Sequence, residues 1–357
     1  LFGAGIAQKP CVPINSRLAD EQLRAIVART APSTLIVGDG MADSEIAELG
    51  GKTPLEYAST PNMDALAGTG KFGLFKTVPD GYPPGSDVAN LSVLGYDPKK
   101  YYTGRAPLEA ASIGVKLGPT DIAFRCNLVT LIEKDGAAVM GDYSSGHITT
   151  EDASEIVLDL DKELSKEGVR FYPGTSYRHL MVWKDGVKSI KTVPPHDISD
   201  KPIDAYLPKG DKAEKLLTLM KLSQAVMKDH PVNRRRTAAG KKPATSIWRW
   251  GQGSAPKMTT LKERFGLEGS MISAVDLMKG IGIYAGLEVI NVPGATGYID
   301  TNYKGKADAA LASLEKKDFV CVHVEAPDEA GHNGNLKDKL QAIEDFDAKI
   351  VGPILKG

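Results

Sequence analysis

Phe319-Val320-Cys321-Val322-His323-Val324 runs directly into Glu325-Ala326-Pro327-Asp328-Glu329-Ala330-Gly331-His332 near the carboxyl end of the chain. A short, mostly apolar run bounded by turn formers reads as a buried strand. The stretch after it reads as a glycine- and proline-bearing loop that puts an Asp and a His four residues apart. Loops at the carboxyl ends of strands are where α/β proteins place their chemistry. Carboxylate plus imidazole is a donor set that Zn²⁺ and Mn²⁺ accept. Taken alone, Asp328 could equally cap a helix.

Two distant segments add to it. Thr34-Leu35-Ile36-Val37 is a short apolar strand ending at Gly38-Asp39-Gly40, so Asp39 also follows a buried strand, with a glycine on each side. Asp39 either caps a turn or faces a ligand that the glycines let the backbone approach. Ser86 lies between the turn Gly81-Tyr82-Pro83-Pro84-Gly85 and a helix expected to run to Gly95. It is either an ordinary N-cap or a nucleophile at a helix start, where free N–H groups and the dipole favour phosphate. A serine hydroxyl bound to a divalent cation ionises more readily and can attack. Asp87 and Asn90 share that first turn.

Around these segments the pattern is α/β at both ends and α+β in the middle. Helices are expected over Arg17–Arg29, from Thr60-Pro61 through Leu66, from a Thr150 cap to Glu167, and over Lys212–Asp229. Further helices are expected over Val275–Tyr284, Asp300–Leu314 and Lys337–Ile350. Asp121–Ile132 and Ala137–Met140 read as a hairpin about Lys134-Asp135-Gly136. Phe171–Tyr172, His179–Trp183 and Leu287–Val292 read as strands. The division this suggests is a lead-in over 1–33, a core over 34–117 and 256–357, and an inserted α+β domain over 118–255.

At 357 residues, 42% hydrophobic and 25% charged, the chain has the composition of an ordinary soluble protein large enough for two domains. A net charge of −1 gives no electrostatic reason to expect nucleic acid or anionic lipid as partner. Cys11, Cys126 and Cys321 are too few and too scattered for a disulfide framework, and read as reduced cytoplasmic thiols. No apolar run approaches spanning length. The start lacks an initiator Met and the basic region of a secretory signal, and reads as a processed or partial product.

Basic residues divide by context. Arg125 sits in a strand between Ala123, Phe124 and Cys126 and therefore needs an anionic partner. Arg234, Arg235 and Arg236 read as solvated surface. Arg105, His147 and Lys279 are weaker candidates for ligand contact. Two nucleotide motifs fail. Gly51-Lys52-Thr53 lacks the earlier glycine of a phosphate loop, because Ile46 stands there. Gly280-Ile281-Gly282-Ile283-Tyr284-Ala285 follows a helix and precedes a strand, the reverse of the dinucleotide order.

Six longer motifs carry a resemblance. They are Gly38-Asp39-Gly40-Met41-Ala42-Asp43, Thr60-Pro61-Asn62-Met63-Asp64, the fourteen residues from Gly85 to Pro98, Tyr102-Thr103-Gly104-Arg105-Ala106-Pro107-Leu108-Glu109-Ala110, Val292-Pro293-Gly294-Ala295-Thr296-Gly297, and the Val324–His332 stretch. Together they resemble the archaeal-type 2,3-bisphosphoglycerate-independent phosphoglycerate mutases. Ala244-Thr245-Ser246-Ile247-Trp248 and Trp250-Gly251-Gln252-Gly253 are most similar to the bacterial branch often labelled proposed homoserine kinase.

The resemblance implies an alkaline-phosphatase-like α/β core with a mainly parallel sheet between helices, plus an inserted lid domain. It also implies two divalent metal ions (Mn²⁺, Mg²⁺ or Zn²⁺) and a phosphoserine intermediate. Asp39 and Ser86 match positions of one metal, Asp328 and His332 positions of the other, and Ser86 the nucleophile. Asp87, Arg105, Arg125, His147 and Lys279 would contact phosphoglycerate. Family members continue beyond the last helix to a Pro-Asp-His strand and a Thr-His-Thr segment that complete both metal sites. This chain stops at Gly357 without them, so weak metal binding and little turnover are the expectation for it alone. A homoserine-kinase-like phosphotransferase and a metal-dependent phosphatase are the alternative activities on the same core.

Overall fold

A computed structural model describes residues 33–357 apart from 71, 72, 74 and 83. The expected helix Arg17–Arg29 and Cys11 lie outside the described residues. Nine strands occur among those described: β1 (Ser33–Gly38), β2 (Ile122–Lys134), β3 (Ala137–Asp142), β4 (Val169–Tyr172), β5 (Arg178–Trp183), β6 (Ser246–Gly253), β7 (Gly269–Ile272), β8 (Glu288–Val289) and β9 (Phe319–Val324). The chain separates into two units. Unit 1 takes the chain up to Tyr102 together with Lys257–Gly357, and unit 2 is Thr103–Pro256. Arg105 and Glu109 therefore belong to unit 2.

Unit 1 holds a parallel sheet in the order β1-β9-β7-β8. A parallel sheet covered by helices buries its central strands on both faces, so they read as continuous apolar runs rather than alternating ones. In β9 every residue after Phe319 is buried. Val320, Val322 and Val324 pack with Ile36, Tyr303, Ala307, Ile343, Phe346 and Ile350, the last five from the helices Tyr303–Leu314 and Leu336–Phe346 and the turn that follows. The expected strand Leu287–Val292 shortens to β8, which pairs with Ser270 and Met271 of β7.

The helix expected over Lys337–Ile350 ends its α-helical part at Phe346 and widens into a π turn over Asp347–Val351. The wholly buried Asp347 accepts from the Asn62 and Met63 N–H groups (3.2 and 2.7 Å) and from Asn62 Nδ2 (2.7 Å). It therefore supplies the anionic cap that Thr60 does not provide to the helix Pro61–Thr69.

Unit 2 is built on β2, thirteen residues long. Its first half pairs antiparallel with β5 and β6, and its end pairs with β3; β4 extends the sheet beyond β5. Phe124, Cys126 and Leu128 face a core with the helices Thr150–Leu164 and Ala213–Lys228. Ala123 and Leu180 face the other way with Ala106 and Ala110, from the helix Ala106–Ser112. Thr149, rather than Thr150, caps the helix that follows it: Thr149 Oγ1 accepts from Asp152 N at 3.3 Å, while Thr150 Oγ1 accepts from Ser176 N at 3.0 Å. No helix among the described residues is long and apolar enough to cross a membrane.

Candidate metal centre and anion-binding face

In unit 1 the parallel register sets Gly38 beside Val324 and Val37 beside His323, so the segments after β1 and β9 leave the sheet together. Asp39 N donates to Val324 O at 2.9 Å. Gly40 has φ +63°, and a Cβ there would lie 2.3 Å from Asp328 Cα, so only glycine lets the Asp39 turn lie this close to the next segment. That segment, expected as a loop, is a short helix, Ala326–His332, with Glu325 in the N-cap position. Asp328 thus lies inside the first helical turn and makes no cap.

The centre forms around His323, which is wholly buried. Its Nδ1 lies 3.1 Å from Ser273 Oγ, and its Nε2 lies 3.4 Å from Asp39 Oδ2 and 3.2 Å from Glu325 Oε2. Ser273 Oγ also accepts from Val275 N at 3.0 Å, which fixes the hydroxyl and through it the ring. Asp39, His323 and Glu325 offer three ligand atoms within 4.8 Å of one another. Two carboxylates and an oriented imidazole suit a divalent cation of the Mn²⁺ or Zn²⁺ kind.

The local electrostatics agree. Burial, with the Asp39, Asp328 and Glu329 charges and against that of His323, pushes the Glu325 carboxyl up to about 7. Burial and Asp39 also raise Asp328, opposed by His332, Lys339 and His323. Burial acts to raise Asp39 as well, but His323, Asn90 and the Gly40 N–H outweigh it and leave that carboxyl below its ordinary value. Crowded carboxylates of this kind are relieved by a bound cation. Beneath them the buried Lys306 donates to the His323 carbonyl at 3.1 Å. Burial lowers its ammonium to about 8, against the pull of Glu325.

Ser86 opens the helix Ser86–Val93 as its first residue; the N-cap is Gly85, which makes no side-chain cap. Asn90 Nδ2 reaches both Ser86 O (3.0 Å) and Asp39 Oδ2 (3.1 Å), tying this helix start to the Asp39 turn. Among the described residues the Ser86 hydroxyl has no hydrogen-bond partner, so it is free for chemistry. Asp87 is engaged locally, accepting from Val88 N at 2.9 Å and Tyr102 OH at 2.6 Å. Asp328 Oδ2 and His332 Nε2 lie 3.3 Å apart on one helix face, with the His332 side chain 76% exposed. Lys279 is half-buried on the helix Asp276–Tyr284, which packs against the Ser86 helix. The nearby Gly282 serves packing, since a Cβ there would stand 2.8 Å from Met271 Cβ.

Unit 2 carries the cations. Glu109 bridges Arg105 (Nε to Oε1, 3.0 Å) and the buried Arg125 (Nε to Oε2, 2.9 Å), so Arg125 has the anionic partner its strand position demands. Burial lowers the Arg125 guanidinium to about 10, with Glu109 opposing and Arg105 and Arg178 adding to the effect. Two guanidinium groups thus share the Glu109 carboxylate.

His147 is exposed at φ +47°. Its turn is pinned by Arg236, which corrects the surface reading of the triple arginine: Arg236 is buried and donates to Ser145 O (2.7 Å), Lys242 O (3.1 Å) and Asp152 (3.2 Å). Arg234 and Arg235 are exposed as expected.

Asp39, Asp87, Asn90 and Asp328 thus gather in unit 1 around the Ser86 helix and the end of β9, and Arg105 and Arg125 meet in unit 2. His323 and Glu325 were not singled out from the sequence. The available signal was a histidine inside an otherwise apolar buried strand.

A parallel α/β sheet with carboxylates and an imidazole at its strand ends defines an α/β enzyme with a candidate divalent-metal centre. The profile of 2,3-bisphosphoglycerate-independent phosphoglycerate mutases matches residues 67–233. A probable mutase of that description from Geobacter sulfurreducens is 59% identical over 323 residues, covering 90% of this chain and 81% of its own. One from Methanosarcina acetivorans is 58% identical, covering 90% and 80%. Among solved structures, a cofactor-independent phosphoglycerate mutase from Thermoplasma acidophilum superposes with a TM-score of 0.58 at 28% identity, over 89% of this chain and 81% of its own. The chain belongs to the 2,3-bisphosphoglycerate-independent phosphoglycerate mutase family and is an isomerase of that class.

Proposed function

We propose that the chain interconverts 3-phosphoglycerate and 2-phosphoglycerate through a phosphoserine on Ser86, at a two-metal site on an alkaline-phosphatase-like core. The observation that carries this reading is the convergence of Asp39, His323 and Glu325 beside the Ser86 helix start, with Asp328 and His332 adjoining. Asp39, His323 and Glu325 would hold one cation, and Asp328 and His332 would contribute to a second. Bound cations supply charge neutralisation on the transferring phosphoryl group and ease ionisation of the attacking hydroxyl.

The chain's own groups do the rest. Ser86 Oγ gives up its proton and attacks phosphorus in line; the Oγ–P bond forms as the bond from phosphorus to the 3-hydroxyl oxygen breaks, and that oxygen takes up a proton. The 2-hydroxyl of the retained glycerate then gives up its proton and attacks the phosphoserine, and the released Ser86 Oγ takes a proton back. The free N–H groups at the start of Ser86–Val93 favour the phosphoryl charge. Arg105, Arg125 and His147 of unit 2 and, separately, Lys279 of unit 1 would be ligand contacts.

The test is ³¹P NMR of 3-phosphoglycerate with the protein and Mn²⁺, without ATP or bisphosphoglycerate. Appearance of 2-phosphoglycerate supports the reading. Free phosphate alone would establish a hydrolase instead, and turnover only with ATP and homoserine would establish the kinase.

A further inference from the structure

We propose that His196 is a further substrate-contacting residue of unit 2, hydrogen-bonding a hydroxyl of the glycerate moiety whose carboxylate Arg105 and Arg125 attract. The inference rests on the phosphoglycerate reading above. His196 sits on a one-turn helix, Pro195–Ile198, preceded by Pro194. Pro195 and Ile198 are buried, and Ile198 joins the cluster of Val129, Met140, Trp248 and Trp250. The turn is therefore rigid at both ends and presents the histidine outward, with 48% of its side chain exposed.

The ring is held by its edges. It meets Trp250 at 5.4 Å and 74°, and Tyr143 at 6.2 Å and 73°. Trp250 carries the Arg125 guanidinium over its ring at 4.0 Å. Tyr143 in turn contacts His147 at 6.5 Å. His196 is thus linked through Trp250 to Arg125 and through Tyr143 to His147.

Among the described residues its nitrogens meet only the neighbouring Asp197 carboxylate, at 3.6 Å. Burial, opposed by Asp197 and reinforced by Arg125 and Arg105, keeps the imidazole below its ordinary pKa. A neutral imidazole donates through one nitrogen and accepts through the other, which is what an alcohol hydroxyl requires. Arginines recognise the carboxylate but cannot accept from a hydroxyl. That complementarity selects a hydroxy acid.

His196→Phe keeps the edge-to-face packing and removes both nitrogens. The expected result is a kcat/KM for 3-phosphoglycerate about tenfold or more below wild type at unchanged Tm, with His196→Gln recovering part of it. In the wild-type protein, titration with 3-phosphoglycerate should shift the imidazole resonance that disappears in His196→Phe, one of six histidines. If wild type turns over and His196→Phe keeps its kcat/KM within twofold, the inference is overturned. If the variant unfolds, a wild-type His196 resonance that saturating phosphoglycerate leaves unmoved overturns it as well. A protein that carries the completing carboxyl-terminal segments and still produces no 2-phosphoglycerate would instead refute the reading on which the inference rests.

Discussion

Glu325→Gln removes one charge from the acidic cluster while keeping its size. The wild-type carboxyl is raised from 4.5 to about 7, first by burial and then by Asp39, Asp328 and Glu329. Because the folded value lies above the unfolded one, the protonated form stabilises the fold. That contribution is complete below about pH 4.5 and is lost as pH rises through about 7. The rise corresponds to about 3 kcal/mol of stability that metal-free unit 1 forfeits by pH 8. Glutamine cannot ionise and forfeits nothing.

The chelator-treated variant should therefore match wild type within about 1 kcal/mol at pH 5 and exceed it by about 3 kcal/mol at pH 8. Mn²⁺ affinity should meanwhile fall at least tenfold or so, because a charged ligand is gone. Trp183, Trp248 and Trp250 all lie in unit 2, so tryptophan fluorescence reports that unit alone. Urea titrations followed by far-UV circular dichroism, with the fluorescence transition separated out, isolate unit 1. A stability difference that does not change with pH, or a variant weaker than wild type at pH 8, would refute the reasoning.

Three other substitutions test other parts of the protein. Gly40→Ala forces a left-handed backbone and a Cβ 2.3 Å from Asp328 Cα; it should cost unit 1 about 2 kcal/mol or more and weaken Mn²⁺ binding, and calorimetric titration giving wild-type affinity would contradict this. Among the described residues the buried Arg249 leaves Nε and Nη1 unpartnered, while Nη2 donates to Leu216 O at 2.7 Å. Arg249→Met should therefore raise the fluorescence-detected urea stability of unit 2 by about 1–3 kcal/mol, and a fall would show that the unpaired faces carry no cost. Ser86→Ala should lower mutase turnover by about 10³-fold or more, and acid-quenched intact-mass spectra should show no phosphorylated protein; near-wild-type turnover would remove Ser86 from the mechanism.

Much of this architecture is legible in the chain itself. The apolar runs of β1 and β9, the hairpin of β2 and β3, and the amphipathic helix Thr150–Leu164 follow from local periodicity. Asp39, Ser86 and Asp328 could be marked because each stands just past a strand or a turn, beside glycine or proline. Arg125 announced its need for an anion through its apolar neighbours, and Glu109 meets it.

Other assignments required the fold. Arg236 could not be separated from Arg234 and Arg235, because its burial depends on which side of a helix meets another segment, and the run of three carries no such mark. His323 was hidden for a different reason. In a parallel strand buried on both faces, no apolar–polar alternation shows which side chain turns toward the site. Only the register of β9 against β1, with Ser273 fixing the ring, brings the His323 imidazole between Asp39 and Glu325. Sequence thus determined which residue types stand at the strand ends. Tertiary pairing decided which of them share a centre, because ligand atoms within 4.8 Å of one another come from segments more than 280 residues apart.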